Sequence, residues 1–273
     1  MRGPWGRVTL ADGTRVACLK RMEAQVLDAQ IEGYFRHGVE VRPGDVLVDV
    51  GANIGLFGLR ALQRSGGAAR VLAIEPIPAI FEVLQQNAAL HHPDGWTLVR
   101  CGLSSAPDRR DFVYFPASPA ISTAHPETYD QEPELLRASV SGVAARPPPG
   151  LSWARWLPDW LCAWIARGLR DGAQRFTCEV RTLSDLMAEH GLDRVDLLKV
   201  DVEGEELEVL RGIGDEDWPK IRQVVIEVHD RDGRLDAVQA LLRERGLAVL
   251  ALEKERGFEA LPFYDVFARR SSS

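Results

Sequence analysis

Three carboxylates, one amine and one imidazole fall within two short apolar runs in the second half of the chain. In Leu198-Lys-Val-Asp-Val-Glu203, the charged residues Lys199, Asp201 and Glu203 alternate with Leu198, Val200 and Val202, so strand periodicity puts them on one face. Glu227 and His229 share a face in the same way within Val224-Val-Ile-Glu-Val-His-Asp230. Buried charge is costly unless it is paired or used, so pairing or function must explain both runs. An imidazole that titrates near neutrality suits removal of a hydroxyl proton, which makes His229 the candidate general base. Glu227 or Asp201 would orient it, Lys199 would balance the carboxylates, and Glu203 would face the substrate. Asp201, Glu203, Glu227 and His229 could alternatively hold magnesium or manganese. Strand spacing alone does not bring those ligands together, and no metal ligand is assigned.

A second set of residues could hold a cofactor. The segment Asp49-Val-Gly-Ala-Asn-Ile-Gly55 follows a short apolar run, and glycines there let backbone approach a ligand that a Cβ would obstruct. A dinucleotide fingerprint would read G-x-G-x-x-G, and its second glycine is absent. Glu75 precedes Pro76, which stops strand pairing and leaves a carboxylate able to accept both hydroxyls of a ribose. Asp49 would suit a cationic, phosphate-free adenosyl compound such as S-adenosylmethionine. The cofactor candidates are therefore Asp49, Gly51, Asn53, Gly55, Glu75 and Pro76.

The elements that must position these groups read as α/β. Val46 to Val50, Leu56 to Gln63, Val71 to Ile74, Ala79 to Leu90 and Thr97 to Cys101 alternate as strand and helix in a βαβαβ unit. A second half resumes with a helix near Leu183 to His190, a strand at Val195 to Val202, a helix from Glu205 and a strand at Val224 to Val228. A helix around Leu235 to Arg245 and terminal strands near Leu247 to Leu252 and Phe263 to Ala268 complete it. Before them, residues 1–42 read as an N-terminal hairpin, turning at Asp12-Gly13, and a helix from Glu23 to His37. Residues 43–273 form the main unit. The proline-rich stretch over about 104–175 breaks the rhythm and reads as an insertion or lid. Within it Trp153, Trp156, Trp160 and Trp164 recur at steps of three, four and four, which predicts one helical stripe packed on the core. Alternatively that stripe caps an acceptor, with Trp153 in contact, or docks a partner. His125, in a proline-flanked loop, is a further substrate-binding candidate.

Composition narrows the function classes. With 33 basic and 40 acidic residues, a net charge of -7 gives no footprint for nucleic acid. No apolar run is long enough for a signal peptide or a membrane span. Four scattered cysteines fit reduced thiols in a cytoplasmic protein.

Taken together, Asp49-Val-Gly-Ala-Asn-Ile-Gly55, Glu75-Pro76 and Leu198-Lys-Val-Asp-Val-Glu-Gly-Glu-Glu206 resemble the FkbM-type methyltransferase family over roughly Val46 to His229. The resemblance implies a class I (Rossmann-like) fold with a seven-stranded, mostly parallel sheet. It implies S-adenosylmethionine as donor, S-adenosylhomocysteine as product, and most often O-methylation in natural-product or sugar chemistry. It is weakest over Phe115 to Arg175, where the acceptor would be chosen. The expected acceptor is a small molecule, a sugar or a carrier-bound intermediate, and a homodimer or carrier-protein contact is a partner expectation. Competing readings are N- or carboxyl-methylation, a catalytically silent cofactor-binding module and, opposed by the glycine spacing, a nicotinamide-dependent oxidoreductase.

Overall fold

A computed structural model describes residues 5–148, 150–254 and 258–271. The chain opens with strands β1 (Gly6–Thr9) and β2 (Arg15–Cys18) and helix α1 (Arg21–Ile31), extended by a short 3-10 turn at Glu32–Phe35. Then follow β3 (Val46–Val50), α2 (Leu56–Arg64), β4 (Arg70–Ile74), α3 (Pro78–Leu90) and β5 (Trp96–Val99). The middle third holds β6 (Gly102–Leu103), β7 (Asp108–Tyr114), α4 (Glu127–Gln131), α5 (Glu134–Ala145), α6 (Asp159–Gly168) and β8 (Gln174–Arg181). The last third is α7 (Leu183–Glu189), β9 (Leu197–Val200), α8 (Glu206–Arg211), β10 (Gln223–His229), α9 (Arg234–Glu244), β11 (Leu247–Lys254) and β12 (Phe263–Arg270).

Seven strands form one sheet in the order β11-β12-β10-β9-β3-β4-β5. The pairs from β10 through β5 are parallel, and β12 runs antiparallel to both of its neighbours. Every residue of β3 is buried, as expected of a central parallel strand covered on both faces. Alternate side chains feed two cores: Val48 and Val50 pack with Leu198, Val200 and Ile226, whereas Leu47 and Val225 pack with α2, α3 and the N-terminal elements. No helix among the described residues is long and apolar enough to cross a membrane.

The N-terminal hairpin is tied to the main sheet through one buried amide. Asn87 of α3 accepts from the Ala17 N–H at 2.7 Å and donates to Ala17 O at 3.1 Å and to Ile54 O at 2.8 Å. One side chain thus satisfies the backbone of β2 and of the turn after β3.

The middle third is more ordered than its prolines suggest. β7 pairs antiparallel with β8 over its whole length, from Asp108 with Val180 to Tyr114 with Gln174, and β8 also pairs with β6. Of the stretch over about 104–175 expected to be an insertion or lid, residues 115–173 are an excursion from the open end of the β7–β8 ladder. The expected single tryptophan stripe is not formed. Trp153 and Trp156 lie in a 3-10 turn, Ser152–Trp156, and α6 starts afresh after Pro158, which breaks the helical period. Nor do the indoles pack on the core, because they are 52, 81, 72 and 67 % exposed in chain order. Cys162 and Ala166 form the buried side of α6 instead.

Asn87→Ala should leave a buried N–H and two carbonyls without partners and cost about 2–4 kcal/mol of stability. Denaturant unfolding followed by circular dichroism measures it, and a loss below about 0.5 kcal/mol would show that the hairpin is held by packing alone.

Candidate active site

The strand-to-helix turn after β3 is shaped by a close approach of two backbones. Gly51 has φ 75°, and a Cβ on it would lie 1.8 Å from the Asp201 carbonyl oxygen, so only glycine fits. Asn53 follows with φ 50° and Gly55 with φ 87°, which turns the chain into α2. Glu75, at the tip of β4, accepts from the Asn53 N–H at 3.1 Å on one oxygen and from the Ile77 N–H at 3.0 Å on the other. Burial pushes its pKa up to about 7, against the pull of those two donors.

Gly51, Asn53, Glu75 and Pro76 line a cavity of about 380 Å³ that continues under the lid. Its far wall is apolar, with Leu135, Leu136, Val140 and Val143 from α5 and Ile165 and Leu169 around α6. Trp153 stands at the rim, lining the cavity while remaining half exposed. The polar end of the cavity carries Lys199, Asp201, Glu203, Glu227 and His229. The two alternating runs therefore do converge, although β9 ends at Val200 and Glu203 reaches the wall from a loop, at φ 55°.

Lys199 anchors that end. Its ammonium donates to Gly51 O at 2.8 Å and lies 3.2 Å from Asp49 Oδ1 and 3.5 Å from Asp201 Oδ2. Burial works against its charge, but Asp49 and Asp201 outweigh it and raise its pKa. Asp49 is fully buried and does not line the cavity; it faces Lys199 as a charge contact rather than an aligned hydrogen bond. The expectation that Asp49 meets a cationic cofactor thus gives way to a supporting place behind the wall, beneath the Gly51 turn. Gly55 is also absent from the wall; it sets the turn, and a Cβ there would press on Leu84.

His229 is held on several sides. Its ring stacks on Phe263 with centroids 4.0 Å apart, and Nε2 lies 3.3 Å from Glu227 Oε1 and 3.9 Å from Glu203 Oε2. Burial disfavours the imidazolium, but the Glu227 bond and the Glu203 charge prevail and push the pKa up to about 10. Burial likewise lifts Glu203 to about 8, and Asp201 to about 6 in spite of Lys199. Glu227 goes the other way, held below its ordinary value by its bonds to His229 and Tyr34 although burial opposes ionisation.

His125 does not reach the cavity. It sits beside it, its ring nitrogens bonded to Glu205 and Glu127. Sequence reasoning missed Tyr34, whose hydroxyl reaches Glu227 Oε2 at 2.9 Å, and Glu23, which lines the lid end of the cavity and accepts from Ser118 Oγ and the Ala120 N–H. It also missed Tyr129 of α4, which donates to Glu203 Oε2 at 3.2 Å. None of the three belongs to a motif; only the folded chain brings them to the site. Among the described residues no three His, Cys, Asp or Glu side chains are grouped to hold a metal ion.

The residues fit S-adenosylmethionine. The Gly51 to Asn53 turn and the Glu75 carboxylate lie at the cavity wall, and Cys101, Gly102, Leu103 and Ile77 line it nearby. Residues 49–259 match the Methyltransferase FkbM domain. The chain is 40% identical over 266 residues to the 31-O-demethyl-FK506 methyltransferase FkbM of Streptomyces tacrolimicus, covering 96% of each. It is 35% identical to the AMB antimetabolite synthetase AmbE of Pseudomonas aeruginosa, over 97% of this chain but 12% of that much longer one. Among solved structures, a Methyltransferase FkbM from Methylobacillus flagellatus KT superposes with a TM-score of 0.52 at 18% identity, over 86% of this chain and 46% of that one, a likeness of fold. On this sequence match, the chain belongs to the FkbM family of S-adenosylmethionine-dependent methyltransferases.

Proposed function

We propose that the chain is an O-methyltransferase acting on a hydroxyl of a bulky, mainly apolar small molecule. The observation that carries this is the cavity itself, which joins the Glu75 carboxylate and an imidazole–carboxylate cluster to an apolar chamber walled by α5 and α6. The name of the Streptomyces relative, which specifies an O-demethyl acceptor, supports the hydroxyl.

When bound, S-adenosylmethionine supplies a methyl group on a sulfonium carbon open to in-line attack. The chain's own residues align the acceptor and take its proton. Glu75 and the Gly51 to Asn53 backbone hold the adenosyl end. Asp49 and Lys199 fix the Gly51 turn from behind. His229 accepts the hydroxyl proton as the oxygen–carbon bond forms, oriented by Glu227 and by stacking on Phe263. With a pKa of about 10 in the free chain, His229 is imidazolium at neutral pH and must first give up that proton. A cation bound at the same cavity lowers its pKa and favours the free base. Glu203 and Trp153 contact the acceptor, and Glu23 offers it a second polar group.

The exposed indoles of the lid support an acceptor delivered on a carrier, with the lid as the contact surface. The four unpaired cysteines support a reducing, cytoplasmic setting.

Glu75→Gln should weaken S-adenosylmethionine binding about 10- to 100-fold by calorimetry, and unchanged affinity would remove Glu75 from the cofactor site. His229→Gln should keep cofactor affinity within about threefold and lower methyl transfer about 100- to 10,000-fold. The first acceptor to assay is 31-O-demethyl-FK506, followed by a panel of apolar alcohols, amines and acids; transfer to acids or amines alone would refute O-methylation. Because the base form of His229 grows as pH rises toward its pKa, wild-type turnover should climb through the neutral range and level off below about pH 10. A flat profile in His229→Gln would place that rise on His229.

A further inference from the structure

Tyr34 comes from the 3-10 turn after α1, outside the matched domain, yet it stands in the middle of the polar cluster. Its hydroxyl lies 2.9 Å from Glu227 Oε2 and 3.3 Å from Asp201 Oδ2. The ring is 4 % exposed and lies edge-on to Phe57, so the hydroxyl has little freedom to point elsewhere. A phenol has one proton, and here two carboxylates compete for it. The contacts are continuous. From His229 they pass through Glu227, Tyr34 and Asp201 to Lys199, whose ammonium bonds Gly51 O in the cofactor turn.

We propose that Tyr34 is a positioning residue of this site: its O–H, shared by Glu227 and Asp201, fixes both carboxylates as acceptors on the wall that meets the sulfonium charge of the cofactor. The proposal rests on the reading of this cavity as an S-adenosylmethionine site.

The surrounding charges show why orientation matters there. On β9 and the loop after it, Asp201 and Glu203 face the cluster, while Lys199 is shared with Asp49 of β3. On β10 and β12, Glu227 and His229 are joined by Asp265, which feels the negative charge of Glu227 and Asp201 and, more weakly, the positive charge of Arg36. Glu206 is balanced by Arg234 of α9 at 3.6 Å. Carboxylates therefore outnumber cations beside the cavity, and a buried surplus of one sign is relieved by a proton or by a bound cation. A sulfonium provides that relief and a thioether does not.

The sign follows from the groups involved. Burial has lifted Glu203 to about 8 and Asp201 to about 6, so as pH falls through those values the cluster takes up protons, first at Glu203 and then at the Asp201–Glu227 pair that Tyr34 bridges, the negative wall weakens and a sulfonium is held less tightly. Removing the Tyr34 donor makes the pair easier to protonate, so the loss begins at higher pH.

The test is calorimetry on the full chain from about pH 5.5 to 9, with S-adenosylmethionine and S-adenosylhomocysteine as the two probes. Their Kd ratio cancels the titrations that both ligands share. In the wild type the preference for the sulfonium should rise with pH. In Tyr34→Phe it should be about 3- to 10-fold smaller near pH 6.5 and unchanged near pH 9. If that variant does not fold, 3-fluorotyrosine at position 34, which keeps the ring and strengthens the donor, should shift the rise to lower pH. A ratio that is flat with pH in the wild type, or a rise that stays in place in the altered proteins, overturns the role of Tyr34. A wild-type chain that binds neither ligand overturns the cofactor reading itself, a different and separately visible result.

Discussion

The ammonium of Lys199 is buried among Asp49 Oδ1, Asp201 Oδ2 and Gly51 O, and the open end of the sheet is organised around it. Without this cation Asp49 would be an uncompensated charge in the middle of a parallel sheet, a situation that destabilises by several kcal/mol. With it, two neighbouring strands, β3 and β9, and the turns that follow them share one electrostatic centre. The ammonium fixes the Gly51 carbonyl, and Gly51 in turn lets the Asp201 backbone come close enough to touch the turn. The supporting layer and the ligand-facing layer are thus successive rows of the same sheet face.

Asp201, Glu227 and His229 lie further toward the strand ends. Two carboxylates press on His229 and hold a proton on it, so the resting chain stores the opposite of what a base requires. A positive charge brought to the cavity would lower that pKa and favour the base form, as a rise in pH would. Glu227 is fixed between His229 and Tyr34, so the geometry that loads the proton also keeps the imidazole aimed.

Much of this was legible in the sequence because it is local. The Gly51 to Gly55 turn, the acid before Pro76 and the two alternating runs each lie within a few residues; strand periodicity holds for Lys199, Glu227 and His229, whereas Asp201 and Glu203 lie past the end of β9. That Asp49 is buried in the strand interior could not be read locally, because the partner that faces it there, Lys199, is 150 residues away. Tyr34, Glu23 and Tyr129 were invisible for the same reason: each acts across a long sequence separation and carries no motif. The tryptophan spacing misled because Pro158 resets the helical phase, so a period that runs through it has no single face to occupy.

The pairing of Tyr114 with Gln174 means that the chain leaves for the lid and returns from it at the same rung of a ladder. Insertions, deletions or wholesale replacement between those two rungs leave the register of every strand unchanged, and the closure entropy grows only slowly with added length. The lid is therefore an exchangeable cassette. The apolar chamber walled by α5 and α6 can thus be rebuilt, by recombination as readily as by point mutation, without moving the strands that carry the Gly51 turn, Glu75 and His229.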